Sequence, residues 1–570
     1  MERTCAEVVI AGLKAEGVEV VFGIVGTPIL DLLDALARTE GIRFIPAQHE
    51  QGVTYMADGY ARVSGRPGVC LVTAGPGVTN AATGIAQAYH ESSPVVLLSG
   101  DVASSVYGRG RSNFHEMDQV GLMRPITKFS ARADRADRVY DFLRAAFRAA
   151  TSGRQGPAYL GIPKDLLSQV VPLPSLPMGG GETLTAHMTS SRDQIEAALD
   201  LLLESKNPLI IAGGGVRWAR ARSQLLELAE LLAIPVASTT WHRGIVPDDH
   251  PLGLGQFSNS GTRPALRAGA EADVIFFVGC TLSELTTDRY SYNLFSENTR
   301  MIHADIDPQE IGKSYPVEVG LVGHLRCLLG EMIELLQGRG VAKPTLDDHP
   351  RVKRVADWKA EWEAWLAELT LDEAKPIRRL TLFKAVREIL DREAIVVAGG
   401  GGTAAYTRFA FPAYEPLLFP GDFSPMGSDY GLALGAKVAC PDRQVVSLIG
   451  DGSFMMVLPE ILTAVENGIA TVVVIMHNDI YANVKYKQRT LYRSRYIGVD
   501  HPYPNFAEVA RCFGAWGERV EEAREIKPAL ERALTSGQPA VVDVLVDPAD
   551  EIPPSDEYLR WIREHQMQVE

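Results

Sequence analysis

The sequence predicts an α/β protein made of three doubly wound parallel-sheet domains. Three features carry that expectation: short apolar runs alternate with amphipathic stretches, the alternation recurs in three blocks, and breaks rich in proline, glycine or charge separate the blocks. Apolar runs with helical crossovers between them are the pattern of parallel strands buried on both faces.

In the first block, residues 1–171, the strand runs are Val20 to Phe22, Cys70 to Thr73, Val95 to Ser99 and Ala158 to Ile162. The segment 172–190, with Pro172, Pro174, Pro177 and three successive glycines ending at Gly181, reads as a linker. A second block, 191–338, has runs at Pro208 to Ala212, Val274 to Val278 and Met301 to Asp305. Residues 339–379 form a connector whose charged stretch Val352 to Leu369 is helical in character. The third block is 380–549, with runs at Ile395 to Ala398, Val445 to Ile449 and Thr471 to Met476. The tail 550–570 carries Trp561 between Arg560 and Arg563 and reads as a docked terminal helix or a lid.

A chain of 570 residues suits about three to four domains of ordinary size. Hydrophobic content of 46% and charged content of 22% describe a globular protein. A net charge of −15 argues against nucleic acid or an anionic membrane as partner and leaves local basic pockets for a small anionic substrate. The charged start and the lack of a long apolar run point to a cytoplasmic protein. Its six scattered cysteines, with no C-x-x-C pair, read as buried thiols.

Two short segments concentrate oxygen ligands at strand ends. Gly450-Asp451-Gly452-Ser453 follows one run, and His477-Asn478-Asp479-Ile480-Tyr481 follows the next, with a helix-like stretch, Leu458 to Asn467, between them. A carboxylate, an amide oxygen and a free carbonyl are hard donors suited to magnesium that keeps phosphate oxygens in its shell. Gly450 and Gly452 allow close backbone approach to a phosphate. A Gly-Asp-Gly triplet alone is common; the matched pair of segments is the informative part.

Earlier in the chain, Glu50 in Gln48-His49-Glu50-Gln51-Gly52 falls at a helix start, where the dipole alone would favour a carboxylate. The stretch Gly68 to Asn80 runs from strand through the turn Gly75-Pro76-Gly77 into a helix containing Asn80. In the third block Gly401, Gly402 and Thr403 follow a strand, and Pro425-Met426-Gly427-Ser428 precedes a helix.

Taken together, the Gly-Asp-Gly and Asn478 pair, His49 to Gly52, Ala57 to Ala61, Gly65 to Gly68 and the Gly75 turn resemble thiamine diphosphate enzymes of the branch containing acetohydroxyacid synthase, 2-hydroxyacyl-CoA lyase and oxalyl-CoA decarboxylase. Ile306-Asp307-Pro308 to Lys313 extends the likeness to the middle block. The resemblance implies a pyrimidine-binding first domain, a nucleotide-binding-like middle domain and a diphosphate- and Mg-binding third domain. Asp451, Asn478 and the Ile480 carbonyl would hold the metal. Gly75, Pro76, Asn80, Gly401, Gly402, Thr403, Gly450, Gly452, Ser453 and Tyr481 would surround the cofactor, and Met426 would prop its bent conformation. Glu50 would hydrogen-bond N1′ of the aminopyrimidine and so activate C2. The family pairs the two ends of the cofactor across subunits, which implies a homodimer or homotetramer.

Two positions bear on the reaction. Val25, in Ile24-Val25-Gly26-Thr27-Pro28, resembles the CoA-using members, and His115, in Asn113 to Gln119, replaces a glutamine or glutamate that points at substrate and is read as a proton shuttle. Against the CoA reading, Gly402 stands where those enzymes have asparagine. On balance the residues favour 2-hydroxyacyl-CoA lyase activity; the alternatives are an acetolactate-synthase-like carboligase using a 2-oxo acid and a non-catalytic cofactor-binding scaffold. Gly213-Gly214-Gly215 with Asp305 and Asp307 could hold FAD or ADP, or form a tight turn only.

Overall fold

The computed structural model describes residues 2–172, 188–370 and 374–550. Three sheets organise them, and every neighbouring pair of strands within each sheet is parallel. The first has six strands in the order Arg43–Pro46, Val20–Gly23, Gly68–Val72, Val95–Asp101, Ala158–Pro163, Phe129–Arg132. The second is also six-stranded, with Pro208–Ala212 and Val274–Val278 at its centre. The third has five strands, in the order Ile395–Ala398, Val445–Gly450, Val472–His477, Ala540–Leu545, Trp516–Val520.

The central strands are Val, Ile and Leu runs buried along their length because helices cover both faces. The anticipated strands are present to within a residue or two at their ends. Most of the 172–190 linker and all of the tail beyond Asp550 lie outside the described residues. The connector contains the helix Pro350–Leu369, which buries Val355, Trp358 and Trp362 against the second sheet's outer cluster.

Two features differ from expectation. A short antiparallel pair, Glu2–Thr4 with Val170–Pro172, ties the two ends of the first block together; three-residue strands leave no readable alternation. Between Gly450 and the next strand there are two helices, Asp451–Met456 and Glu460–Asn467, rather than the single stretch expected from Leu458. Pro459 has no N–H to continue the first, so the chain restarts there.

The first and third sheet domains meet along the helices Glu50–Ser64 and Ser428–Ala439. The axes come close because glycines line the seam. A Cβ at Gly59 would overlap Leu432 O, one at Gly435 would overlap Met56 O, and one at Gly431 would lie 2.5 Å from Tyr55 Cβ. Buried Arg62 closes one end of the seam, bonding to Asp58 at 2.5 and 2.7 Å and to the Phe419 carbonyl at 2.6 Å.

Candidate active site

In a parallel sheet, loops that follow neighbouring strands emerge side by side. Three such loops in the first sheet carry Val25, Glu50 and Gly75, since the strands preceding them are adjacent. His49 caps the helix Glu50–Ser64 by accepting the Gln51 N–H, which makes Glu50 the first helical residue. Its carboxylate is buried and accepts a 3.0 Å hydrogen bond from Asn80 Nδ2. The other oxygen, Oε1, would lie 3.5 Å from a Cβ at Gly77, so the glycine turn keeps the space beside Glu50 open. Gly75 takes a positive φ of 63°, and its N–H donates to Gln119 Oε1 at 2.7 Å.

Folding therefore brings together Glu50, Gly75, Pro76 and Asn80. It also brings in two residues that motif reading gave no role. Gln119, which further bonds the Gly100 carbonyl, pins the turn. Glu460, from the third domain, accepts the N–H groups of Gln48 and His49 at 3.4 and 3.0 Å.

His115 sits against this turn: a Cβ at Gly75 would lie 2.8 Å from its carbonyl oxygen. It has a φ of 65° and stacks on Phe114 with ring centroids 3.8 Å apart. Its Nδ1 is buried with no hydrogen-bond partner, an orphaned polar atom at the edge of the site. Val25 is 64% exposed and Phe114 80%, so neither is packed away by its own chain.

The second group of residues is on the third sheet. Register places Gly450 opposite Met476, so Asp451 and Asn478 leave neighbouring strands together. Asp451 is buried and its Oδ2 accepts the N–H groups of Asn478 and Asp479 at 2.8 and 2.7 Å, while Oδ1 accepts that of Gly452. Burial raises the Asp451 pKa despite those bonds. Asn478 Oδ1 accepts the Ile480 N–H at 3.3 Å, and the Ile480 carbonyl, expected to be free, accepts the Ala482 N–H at 3.0 Å because the chain turns into a helix there. All three are oxygen donors, a set that fits a hard divalent cation such as magnesium.

Around them, a Cβ at Gly450 would meet only Thr403 Oγ1, at 3.6 Å, and one at Gly401, whose φ is 61°, would meet nothing within 4 Å. The backbone at Gly401 and Gly450 is thus open, a glycine cradle of a kind suited to phosphate. Gly427, at φ 85°, would place a Cβ 3.3 Å from the Ser453 carbonyl, which brings half-exposed Met426 to the rim. Tyr481 covers Gly452. No hydrogen bond among the described residues joins Glu50 or Asn80 to Asp451, Asn478 or Ile480.

Comparison with known proteins supplies the family. Residues 3–122 match the thiamine pyrophosphate enzyme N-terminal TPP binding domain, 195–332 the central domain and 398–544 the C-terminal TPP binding domain. The chain belongs to the thiamine pyrophosphate enzymes. Among its relatives, the probable acetolactate synthase large subunit of Methanocaldococcus jannaschii is 34% identical over 96% of this chain and 93% of its own length. The acetolactate synthase isozyme 3 large subunit of Escherichia coli K12 is 34% identical over 96% of each. This thiamine pyrophosphate enzyme is accordingly of the acetohydroxyacid synthase branch. The preference for a 2-hydroxyacyl-CoA lyase, drawn from Val25 and His115, yields to the carboligase alternative: two loop positions carry less weight than similarity along the whole chain.

The central domain of the enzyme borders a cavity of about 410 Å³, lined by Gly214, Gly215, Trp218, His242 and Asp305 among others. The glycine triplet beside it is already explained by packing: a Cβ at Gly213 would overlap Gly279 O, and at Gly214 and Gly215 it would lie 2.5 Å from His242 Nε2 and 2.7 Å from Gly279 Cα. The triplet is therefore no separate sign of a nucleotide. No helix among the described residues is long and apolar enough to cross a membrane.

Proposed function

We propose that the protein is a carboligase of the acetolactate-synthase kind, joining the acyl portion of one 2-oxo acid to a second carbonyl compound. The observation that carries this reading is the similarity to proteins named acetolactate synthase large subunit, continuous over 96% of the chain.

The cofactor, when bound, supplies a nucleophilic thiazolium carbon and an electron sink for breaking or making a C–C bond beside a carbonyl. Glu50 would hold the proton at the pyrimidine nitrogen, and Asn80, which donates to its carboxylate, would orient it. Asp451, Asn478 and the Ile480 carbonyl would hold magnesium, the Gly401–Thr403 and Gly450–Ser453 loops the diphosphate, and Met426 the underside of the thiazolium. His115 offers an unpartnered ring nitrogen for proton transfer to substrate oxygen. The Glu50 and Asp451 groups would complete each other across two copies of the chain, a dimer or tetramer, which exposed Val25, Phe114, Met455 and Met456 support. The central cavity would receive FAD or ADP, and a yellow purified protein would decide for the flavin.

The test is to supply Mg²⁺, thiamine diphosphate and pyruvate, with and without a second 2-oxo acid, and to follow CO2 and acetolactate. Acetolactate formation is the expected result. Aldehyde release from 2-hydroxyacyl-CoA with no pyruvate consumption would overturn it.

A further inference from the structure

His477 ends the strand Val472–His477 and directly precedes Asn478, and the proposed activity makes no use of its ring. The ring is buried, with Nδ1 2.8 Å from Asp543 Oδ1 and Nε2 3.0 Å from Asp479 Oδ1. Both ring nitrogens are thus engaged by carboxylate oxygens, and the imidazole bridges Asp543 and Asp479. Asp451, His477 and Asp479 lie close enough to suggest a ligand set, yet this geometry makes the imidazole a strut.

The strut bears on Asp479. That residue has a φ of 58°, unusual for a non-glycine. Several bonds hold it there. Its N–H donates to Asp451 Oδ2 at 2.7 Å, its carbonyl accepts the His501 N–H at 2.8 Å, and its Oδ1 accepts the Tyr503 N–H at 2.8 Å. Asp543, on the neighbouring strand, accepts the Phe506 N–H at 3.0 Å with its other oxygen. The Asp543–His477–Asp479 line therefore fastens the 499–506 segment to the loop carrying Asn478. The two segments bring Tyr481 and Tyr503 over Gly452, where a Cβ would overlap the Tyr481 ring and lie 3.1 Å from Tyr503 Oη.

We propose that His477 and Asp479 act as a positioning couple that sets Asp451 and the Tyr481–Tyr503 pair for the magnesium and diphosphate end of the cofactor. Neither side chain is a metal ligand in this arrangement; His477 acts through Asp479, and Asp479 through its backbone N–H on Asp451. The couple rests on the proposed cofactor site. Partners that orient metal ligands typically change affinity by about 10- to 100-fold when removed.

The experiment is titration calorimetry of full-length protein with thiamine diphosphate at fixed Mg²⁺, for wild type, D479A, H477Q and the double variant. Asp479 is half-exposed, so D479A leaves the core intact, and H477Q keeps one amide donor at the buried position. The expected result is a Kd raised at least about 10-fold in D479A, a smaller rise in H477Q, and a double variant no weaker than D479A. With saturating cofactor, kcat should change less than about threefold, a split that general loosening of the fold would not give. Variants that bind within twofold of a binding-competent wild type, or effects that multiply in the double variant, would overturn the couple and leave the cofactor site standing. A wild type that binds no cofactor would overturn the site and the couple with it.

Discussion

The carboxylate of Glu460 accepts the backbone N–H of His49 at 3.0 Å, so the third domain caps the helix that begins with Glu50. The bond joins residues 411 positions apart. Glu460 is buried and also accepts from Thr463 Oγ1 at 2.6 Å. Replacing it with alanine strands two N–H groups and should cost about 1–3 kcal/mol in urea unfolding. Gly52→Ala, whose Cβ would overlap Glu460 Oε1, should cost a similar amount by the opposite route, overpacking. In both variants activity should fall more than cofactor affinity, because Glu50 is displaced and Asp451 is not.

Glu50→Gln should leave the magnesium and diphosphate site intact while slowing C2 proton exchange of bound thiamine diphosphate by about 100-fold or more. Asn80→Ala, which frees the carboxylate without removing it, should give a smaller loss. NMR of deuterium exchange quenched in acid measures both. Wild-type exchange in Glu50→Gln would remove Glu50 from its proposed role.

Asp451→Ala should abolish Mg²⁺-dependent cofactor binding, and EDTA should reduce wild type to the same state, reversibly. Because its carboxylate also satisfies three backbone N–H groups, the variant should lose about 1–3 kcal/mol in urea unfolding as well. Activity that survives EDTA would show that oxygen ligands are not needed here.

Asp429 sets a pH dependence. It lies at the start of the helix Ser428–Ala439, fully buried, with neither oxygen bonded to a side chain or distant backbone group, and burial pushes its pKa up to about 7. A raised carboxyl pKa means the folded state holds a proton that the unfolded chain releases from about pH 4 upward. The contribution is complete below about pH 4 and is lost as pH rises through 7. Urea midpoints should thus decline between pH 5 and 8. Asp429→Asn, neutral throughout, should flatten the decline and be more stable than wild type at pH 8, by on the order of a few kcal/mol. Parallel curves for the two proteins would show that Asp429 titrates normally.

Local chemistry explains which parts of the site were legible in the sequence. Gly450 to Ser453 and Asn478 follow apolar runs, and strand register then makes them neighbours, so reading strand ends was enough. Glu50 and the Gly75 turn were visible as a helix start and a glycine turn, and their contact follows from adjacent strands. Glu460, Gln119 and Asp543 were not visible, because each acts on a backbone group or ring whose place is set by tertiary packing. The glycines at 213–215 were visible but ambiguous, since the same residue serves a phosphate or a close backbone. The choice of reaction rested on Val25 and His115, loop positions whose meaning depends on what lies opposite them.

The glycine seam between the helices Glu50–Ser64 and Ser428–Ala439 has one more implication. At Gly59 and Gly435 backbone meets backbone, so no side chain remains at those two contacts to be trimmed or enlarged by degrees. Such a joint can be retained or lost but hardly adjusted, and lineage-to-lineage novelty has to accumulate elsewhere. The loops of Val25, His115 and Tyr481, which lie outside the seam, are the places where this scaffold can acquire a new substrate while its frame stays the same.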